Sequence, residues 1–386
     1  MMERVYFDWN ATAPLRPEGQ AAVSAALALT GNASSVHAEG RAARALIEEA
    51  RSKVAALVGA EPKNVTFTSG ATEANTTVLT PAIEAGGRKE PRDRLFVSAI
   101  EHVSVLCGGR FPSDRVEQLP VTGDGVLDVA GLRARIGKAE RPLVSVMLAN
   151  NETGVIQPIT EIAEIVHAAN GVLHVDAVQA PGRMPCRFDD LGADLMTLSS
   201  HKIGGPQGAG ALIRHGDIQI DPLIKGGGQE RGLRGGTENV AAIAGFGAAA
   251  AAAHAASEAD ASRMAALRGR FEAALKEATP SAVIFGAASP RLPNTTLFAV
   301  PGVKAETALI AFDLNGIAVS SGAACSSGKV QASHVLAAMG VEPALARGAI
   351  RVSIGRTTTE AEIERFLGTW ISLSGSLLKE RREIAA

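Results

Sequence analysis

Between about residue 40 and residue 215, short apolar runs alternate with helical stretches, and that alternation limits what this chain can fold into more than any other feature. Strand-like runs stand at 65–68, 95–98, 144–148, 172–175 and 195–198. Helical stretches include 41–58, where Ala45, Leu46, Val54 and Leu57 recur at near-helical spacing until Gly59 stops them. The pattern implies βαβ units, a mostly parallel sheet and right-handed crossovers. Each strand-like run also empties into polar residues. The first runs into "SGATEAN", the next into "AIEH", then "ANNETG", "DAVQ" and "SSHK". Ligands of open α/β sheets bind at the carboxyl ends of strands. Five such polar segments in register point to one site.

At 386 residues the chain is long enough for a large domain and a modest second one. A second, mixed region is expected after the alanine-rich stretch 241–259, with "NTTLFAV", "GIAVSS" and "GAIRVSIG" as strands. The alanine run favours helix by propensity and is expected to be a structural helix with a small-residue packing face, not a membrane segment. A formal net charge of −2 argues against nucleic acid or an anionic membrane surface as the main partner. Three cysteines, Cys107, Cys186 and Cys325, form no disulfide framework, and the amino-terminal "MMERVYFDWN" has no signal-peptide core. A reducing cytoplasm is the expected location.

The chemistry centres on "TLSSHKIGGPQGAG", residues 197–210. A P-loop carries its glycines before the lysine; here they follow Lys202. A lysine amine can form an imine with a carbonyl compound. Ser69, Gly70, Ala71 and Thr72 sit at a strand-to-helix turn that can hold a phosphate, with Ser199 and His201 as further donors. Asp176 precedes Lys202 by one crossover, and an aspartate facing a pyridine nitrogen keeps that ring protonated and electron-accepting. Singly, Lys202 reads as a surface lysine, Asp176 as a helix cap, and His102 and His201 as structural histidines. Together they make the parts of a pyridoxal-phosphate site, with no metal implied.

The strings "YFDWNATA", "SGATEAN", "ANNETGVIQPI", "HVDAVQA", "SSHKIGGPQGAGAL", "GGGQERGLRGGTEN", "SSGAACSSG" and "IRVSIGRTTT" resemble the cysteine desulfurases of the NifS/IscS type, in order and spacing, from about residue 5 to 367. That family lies in the class V aminotransferase group, with the fold-type I architecture of pyridoxal-phosphate enzymes. The resemblance implies an α/β fold whose large domain has a mostly parallel seven-stranded sheet sandwiched by helices, plus a smaller α+β carboxyl-terminal domain. The expected division is 15–257 for the large domain, and 1–14 with 258–386 for the small one.

By the same resemblance, Lys202 is the imine-forming lysine, Asp176 pairs with the pyridine nitrogen, and His102 stacks on the ring. Asn151 and Gln179 approach the ring hydroxyl. Ala71, Thr72, Ser199 and His201 lie at the phosphate, and Thr237 reaches the phosphate of a neighbouring subunit, which implies a homodimer. Arg351, with Asn151, holds the carboxylate of an L-cysteine substrate. Cys325 takes the substrate sulfur as a persulfide for an acceptor protein of unknown identity, in iron–sulfur cluster or other cofactor assembly. His102 or Lys202 is the expected proton carrier. Between Ser320 and Gly328 no side chain exceeds Cys325 in size, so this loop should be mobile. Cys107 and Cys186 are expected to be structural.

Three positions depart from the family pattern: Trp9 for asparagine, Ala71 for glycine, and Gly204 for an aromatic. Altered packing at the cofactor edge is the expected result. The carboxyl end "LKERREIAA" lacks the longer tail of housekeeping members, which leaves the sulfur acceptor open. The rival readings are a selenocysteine lyase or another class V aminotransferase, and, from a different class, a non-catalytic protein binding a phosphate ligand.

Overall fold

The computed structural model describes residues 4–87, 89–322 and 333–384, so Cys325 and most of its loop lie outside the described residues. Seven strands form the main sheet, in the order Val65–Thr68, Gly210–Arg214, Leu195–Ser199, Val172–Asp176, Pro142–Met147, Arg94–Ser98, Val116–Leu119. All run the same way except Gly210–Arg214, which is antiparallel to both neighbours. The five expected strands are all present, with ends displaced by at most two residues.

The central strands are apolar on both faces because helices cover both. Val144, Leu173 and Met196 enter one core with Val54, Phe67 and Phe246. Their strand neighbours Leu143, Val172 and Leu195 enter another on the opposite face, with Leu79, Leu95 and Leu212. That is the period of two expected of a strand buried on each side. The helix Ala38–Leu57 begins under a cap in which His37 accepts from the Gly40 N–H, and it ends at Gly59, whose φ of +63° turns the chain out.

The alanine-rich run belongs to a helix of 39 residues, Val240–Ala278, longer than the run alone suggests. By length and composition that helix could cross a membrane. Just under half of its apolar window, 44%, is buried in the protein. Ile243, Phe246 and Ala250 join the main core, while Met264, Leu267, Phe271 and Leu275 join a second. The expected domain boundary at 257 falls inside it. Its small residues permit close approach: a Cβ on Gly247 would come within 2.5 Å of the Ala50 backbone.

The second core lies under a four-stranded antiparallel sheet, ordered Val283–Ile284, Thr295–Ala299, Ile350–Ser353, Ser320–Ser321. Phe7, Phe271, Phe298, Phe312, Phe366 and Trp370 fill it. The segment "GIAVSS" splits between sheets: Ile317–Ala318 pairs with the amino-terminal Val5–Tyr6, and Ser320–Ser321 with Ile350–Ser353. The amino terminus thereby returns to the carboxyl-terminal region.

The outer edge of the main sheet, Val65–Thr68, is closed by an ion pair. Arg51 Nη1 donates to the Val65 carbonyl at 2.9 Å, and the Phe67 N–H donates to Glu230 Oε2 at 2.8 Å. Arg51 and Glu230 are joined to each other at 2.7 and 2.9 Å, both nearly inaccessible. The pair thus does for this edge what a further strand would do. Glu230 and Arg231 adopt left-handed backbone angles, φ +46° and +59°, which non-glycine residues seldom hold without such anchoring.

Candidate active site

A cavity of about 710 Å³ opens at the carboxyl ends of the main strands. All five polar segments reach it: Ser69–Thr72 with Asn75, then His102, Asn151, Asp176 with Gln179, and Ser199 with His201 and Lys202. Two more contributions come from the chain's extremities, Asp8, Asn10 and Ala11 near one end and Arg351 near the other. Ala71, Thr72, His102, Asn151, Asp176, Gln179, Ser199, His201, Lys202 and Arg351 therefore share one wall, as the sequence suggested. Thr237 does not. It is exposed, beyond the Gln229–Gly232 turn, and lines no part of this cavity.

Lys202 ends the short turn Ser200–Lys202 that joins Leu195–Ser199 to the reversed strand. Its Nζ donates to the carbonyls of Asn10 and Ala11, at 2.6 and 2.8 Å. Neither acceptor carries charge. Burial, followed by the repulsion of Arg183 and Arg351, pushes its pKa down to about 7, against the pull of Asp8 and Asp176. The amine is thus substantially uncharged near neutral pH. His201, whose Nδ1 lies 3.1 Å from Thr12 Oγ1, is pushed down to about 4 by burial and by Lys202.

Asp176 closes the central strand Val172–Asp176, and each of its oxygens takes a hydrogen bond. The Val178 N–H donates to Oδ1 at 3.0 Å, and Asn75 Nδ2 donates to Oδ2 at 2.9 Å. His102 caps the helix Val103–Leu106, its Nδ1 accepting from the Ser104 N–H at 3.2 Å. Burial lowers its pKa, with Asp176 opposing and Lys202 and His334 adding to the fall. Arg351 is already engaged, donating to Asp8 Oδ1 at 2.7 Å and to the Asn151 carbonyl at 3.0 Å. Its buried Nε has no partner among the described residues.

At the other end of the cavity the helix Ala71–Val78 presents its amino terminus, and Gly70 gives it no side-chain cap. Glu73 folds back to accept from Ser69 and is paired with Arg234 at 3.1 Å, so the segment around Gln229 is docked on this turn. Gly210 lies so near Gly70 that a Cβ there would meet its backbone at 2.6 Å.

Two of the three departures act elsewhere than expected. Trp9 packs its ring on Gly355 and donates from Nε1 to the Tyr6 carbonyl, away from the cavity wall. Gly204 has φ +85°, and a Cβ would strike Arg16 Cγ at 2.7 Å, so an aromatic has no room there. Only Ala71 stands on the wall.

Sequence reasoning missed Asn75, Glu101, Glu152 and Arg183. The first three stand inside quoted motifs and Arg183 outside them, yet the importance of all four lies in partners set by the fold. Glu101 is fully buried, accepts from the Met147 N–H at 2.7 Å, and has its carboxyl pushed well above the usual range by burial, with Asp176 adding to it. Glu152 accepts from Ser333 Oγ at 2.6 Å and is raised to about 7 by burial. Of the other cysteines, Cys186 is buried and its thiol pushed up to about 12, which makes it inert.

Comparison with known proteins bears on this arrangement. The aminotransferase class-V family model matches residues 5–366. A cysteine desulfurase of Cereibacter sphaeroides is 42% identical, over 95% of this chain and 94% of its own length. The solved NifS-like protein of Rickettsia africae superposes with a TM-score of 0.88 at 35% identity, covering 97% of this chain and all of that one. SspA, solved in complex with cysteine, superposes with a TM-score of 0.75 at 29% identity, over 92% of this chain. With a seven-stranded sheet, a cavity at its strand ends and relatives matched along nearly their whole length, this chain belongs to the class-V aminotransferase family and, within it, to the cysteine desulfurases.

Proposed function

We propose that this protein removes sulfur from L-cysteine and releases L-alanine, with pyridoxal 5′-phosphate as its cofactor. One observation carries the reading: a half-buried lysine amine, unpaired with any carboxylate among its described hydrogen bonds and titrating near 7, shares a cavity with an Asp176 carboxylate. The residues fit the cofactor. Lys202 Nζ can attack an aldehyde carbon because it is substantially neutral. The uncapped helix start at Ala71 and Thr72, with Ser199 and His201, suits a phosphate. Asp176 would hold a proton on the ring nitrogen, and the cavity has the volume of a small-ligand site.

When bound, the cofactor supplies an electron-poor ring that accepts electrons released at the substrate Cα. The protein does the rest. Arg351 offers its guanidinium to the substrate carboxylate, in competition with Asp8. Lys202 Nζ, once free of its carbonyl partners, takes and returns protons at an amine poised near the working pH. Cys325, outside the described residues, is assigned to take the sulfur as a persulfide. We further propose a homodimer in which Thr237 serves the partner's site, a cytoplasmic location, and delivery of sulfur to an acceptor for iron–sulfur cluster or related assembly.

Purified protein should be yellow, and borohydride should fix the cofactor to Lys202. With L-cysteine and a reductant, alanine and sulfide should appear in equal amounts, and Cys325→Ser should abolish sulfide. Alanine formed without sulfide or persulfide would overturn the reading.

A further inference from the structure

We infer that Asn75 is a positioning residue that holds the Asp176 carboxylate and sets the tautomer of His102, itself oriented by a one-way hydrogen-bond chain from Ser145 through His174 and Thr197. The inference rests on the cavity reading above and extends it to residues behind the wall. Its argument is a count of hydrogens. An ionised carboxylate only accepts, so the Asn75 group 2.9 Å from Asp176 Oδ2 must be its NH₂. Its carbonyl then receives the Thr197 hydroxyl hydrogen at 2.7 Å.

Thr197 has one hydrogen and has given it away, so toward His174 Nε2, 3.4 Å distant, it can only accept. His174 therefore carries its hydrogen on Nε2, and its Nδ1 accepts from Ser145 Oγ at 2.8 Å. Ser145, His174, Thr197 and Asn75 are all fully buried, so water cannot substitute for any of them. Burial also pushes His174 down to about 3, which keeps the ring neutral at working pH. The strand register makes the chain possible: Ser145 sits opposite His174, and Thr197 opposite Asp176.

The second hydrogen of the Asn75 amide goes to Ser104 Oγ at 3.0 Å. That leaves the Ser104 hydroxyl hydrogen for His102 Nδ1, 2.8 Å away, which also accepts the Ser104 N–H. His102 thus holds its own hydrogen on Nε2. In the resting site it is a donor, and its only lone pair is already covered by two donors. Proton abstraction at the substrate then falls to Lys202, not to His102.

The test uses Thr197→Val, which keeps the branched side-chain shape but replaces the hydroxyl, donor and acceptor alike, with a methyl, beside Asn75→Ala. Both should lower kcat about 10–100-fold, the usual effect of removing an orienting partner, with KM near unchanged. Both should also weaken the apoprotein's affinity for pyridoxal phosphate and shift the absorption band of the bound cofactor. Histidine nitrogen NMR on the unliganded protein should place hydrogen on Nε2 of both His174 and His102. Unchanged kcat, affinity and spectrum for Thr197→Val in a yellow, active background would overturn the inference while leaving the function intact. A colourless, inactive wild type would instead overturn the function, and the NMR would still decide the chain: hydrogen on Nδ1 of either ring refutes it. Should Asn75→Ala fail to fold, Thr197→Val alone decides.

Discussion

Arg183 is a buried guanidinium whose described partners are all neutral oxygens, those of Trp9, Asn10, Gln179 and Lys202. Burial, with Arg351 adding, pulls its pKa down to about 10, yet it remains a cation at neutral pH. Its field is a principal reason, after burial, that Lys202 titrates near 7. Removing a cation favours the charged form of its neighbour, so Arg183→Gln should raise the Lys202 pKa toward its ordinary 10.5. Uptake of pyridoxal phosphate by the apoprotein, followed by stopped-flow absorbance, should then be slower than wild type at pH 7 and similar at high pH. An unshifted pH profile would contradict this electrostatic role. Lys202 and Asp176 were legible in the sequence because their chemistry is local and their spacing fits one crossover. Arg183 was not, since nothing in "QAPGRM" says that its side chain turns inward without a counter-charge.

Five of the seven strands obey a pattern that a sequence displays, namely apolar runs ended by glycine or polar residues, whereas Val116–Leu119, with Glu117 and Gln118 at its centre, does not. The short strands of the second sheet were harder, because Val5–Tyr6 or Ser320–Ser321 is defined by its pairing partner and not by its own two residues. The closure of the edge strand was not legible at all: Arg51 and Glu230 lie 179 residues apart. Glu230→Gln would leave the buried Arg51 guanidinium with only the half-exposed Glu48 as counter-charge, so a loss of about 3 kcal/mol is expected in chemical denaturation. An apolar replacement of both partners should not restore it, because the Val65 carbonyl and Phe67 N–H would lose their partners as well. A loss under about 1 kcal/mol, the range of exposed pairs, would show that the edge is held by something else.

Across the whole molecule, buried titratable groups pull stability in opposite directions. His174 has its folded pKa lowered to about 3, so its contribution is lost as pH falls from 6.5 toward 3. Glu152 is raised from 4.5 to about 7, so the folded state keeps a proton that the unfolded chain has released, and stability falls as pH rises through that interval. Glu152→Gln removes this second penalty. Its unfolding midpoint relative to wild type should therefore rise between pH 4.5 and 8 and should differ little below 4.5. A pH-independent difference would refute the assignment. The site also gathers residues from both extremities of the chain: the carbonyls of Asn10 and Ala11 hold Lys202, while Arg351 binds Asp8 and Asn151. A nascent polypeptide lacks that arginine until some 340 residues have been added after Ala11. Any ligand that relies on Arg351 can therefore be held only after that distant segment has been made and has folded back.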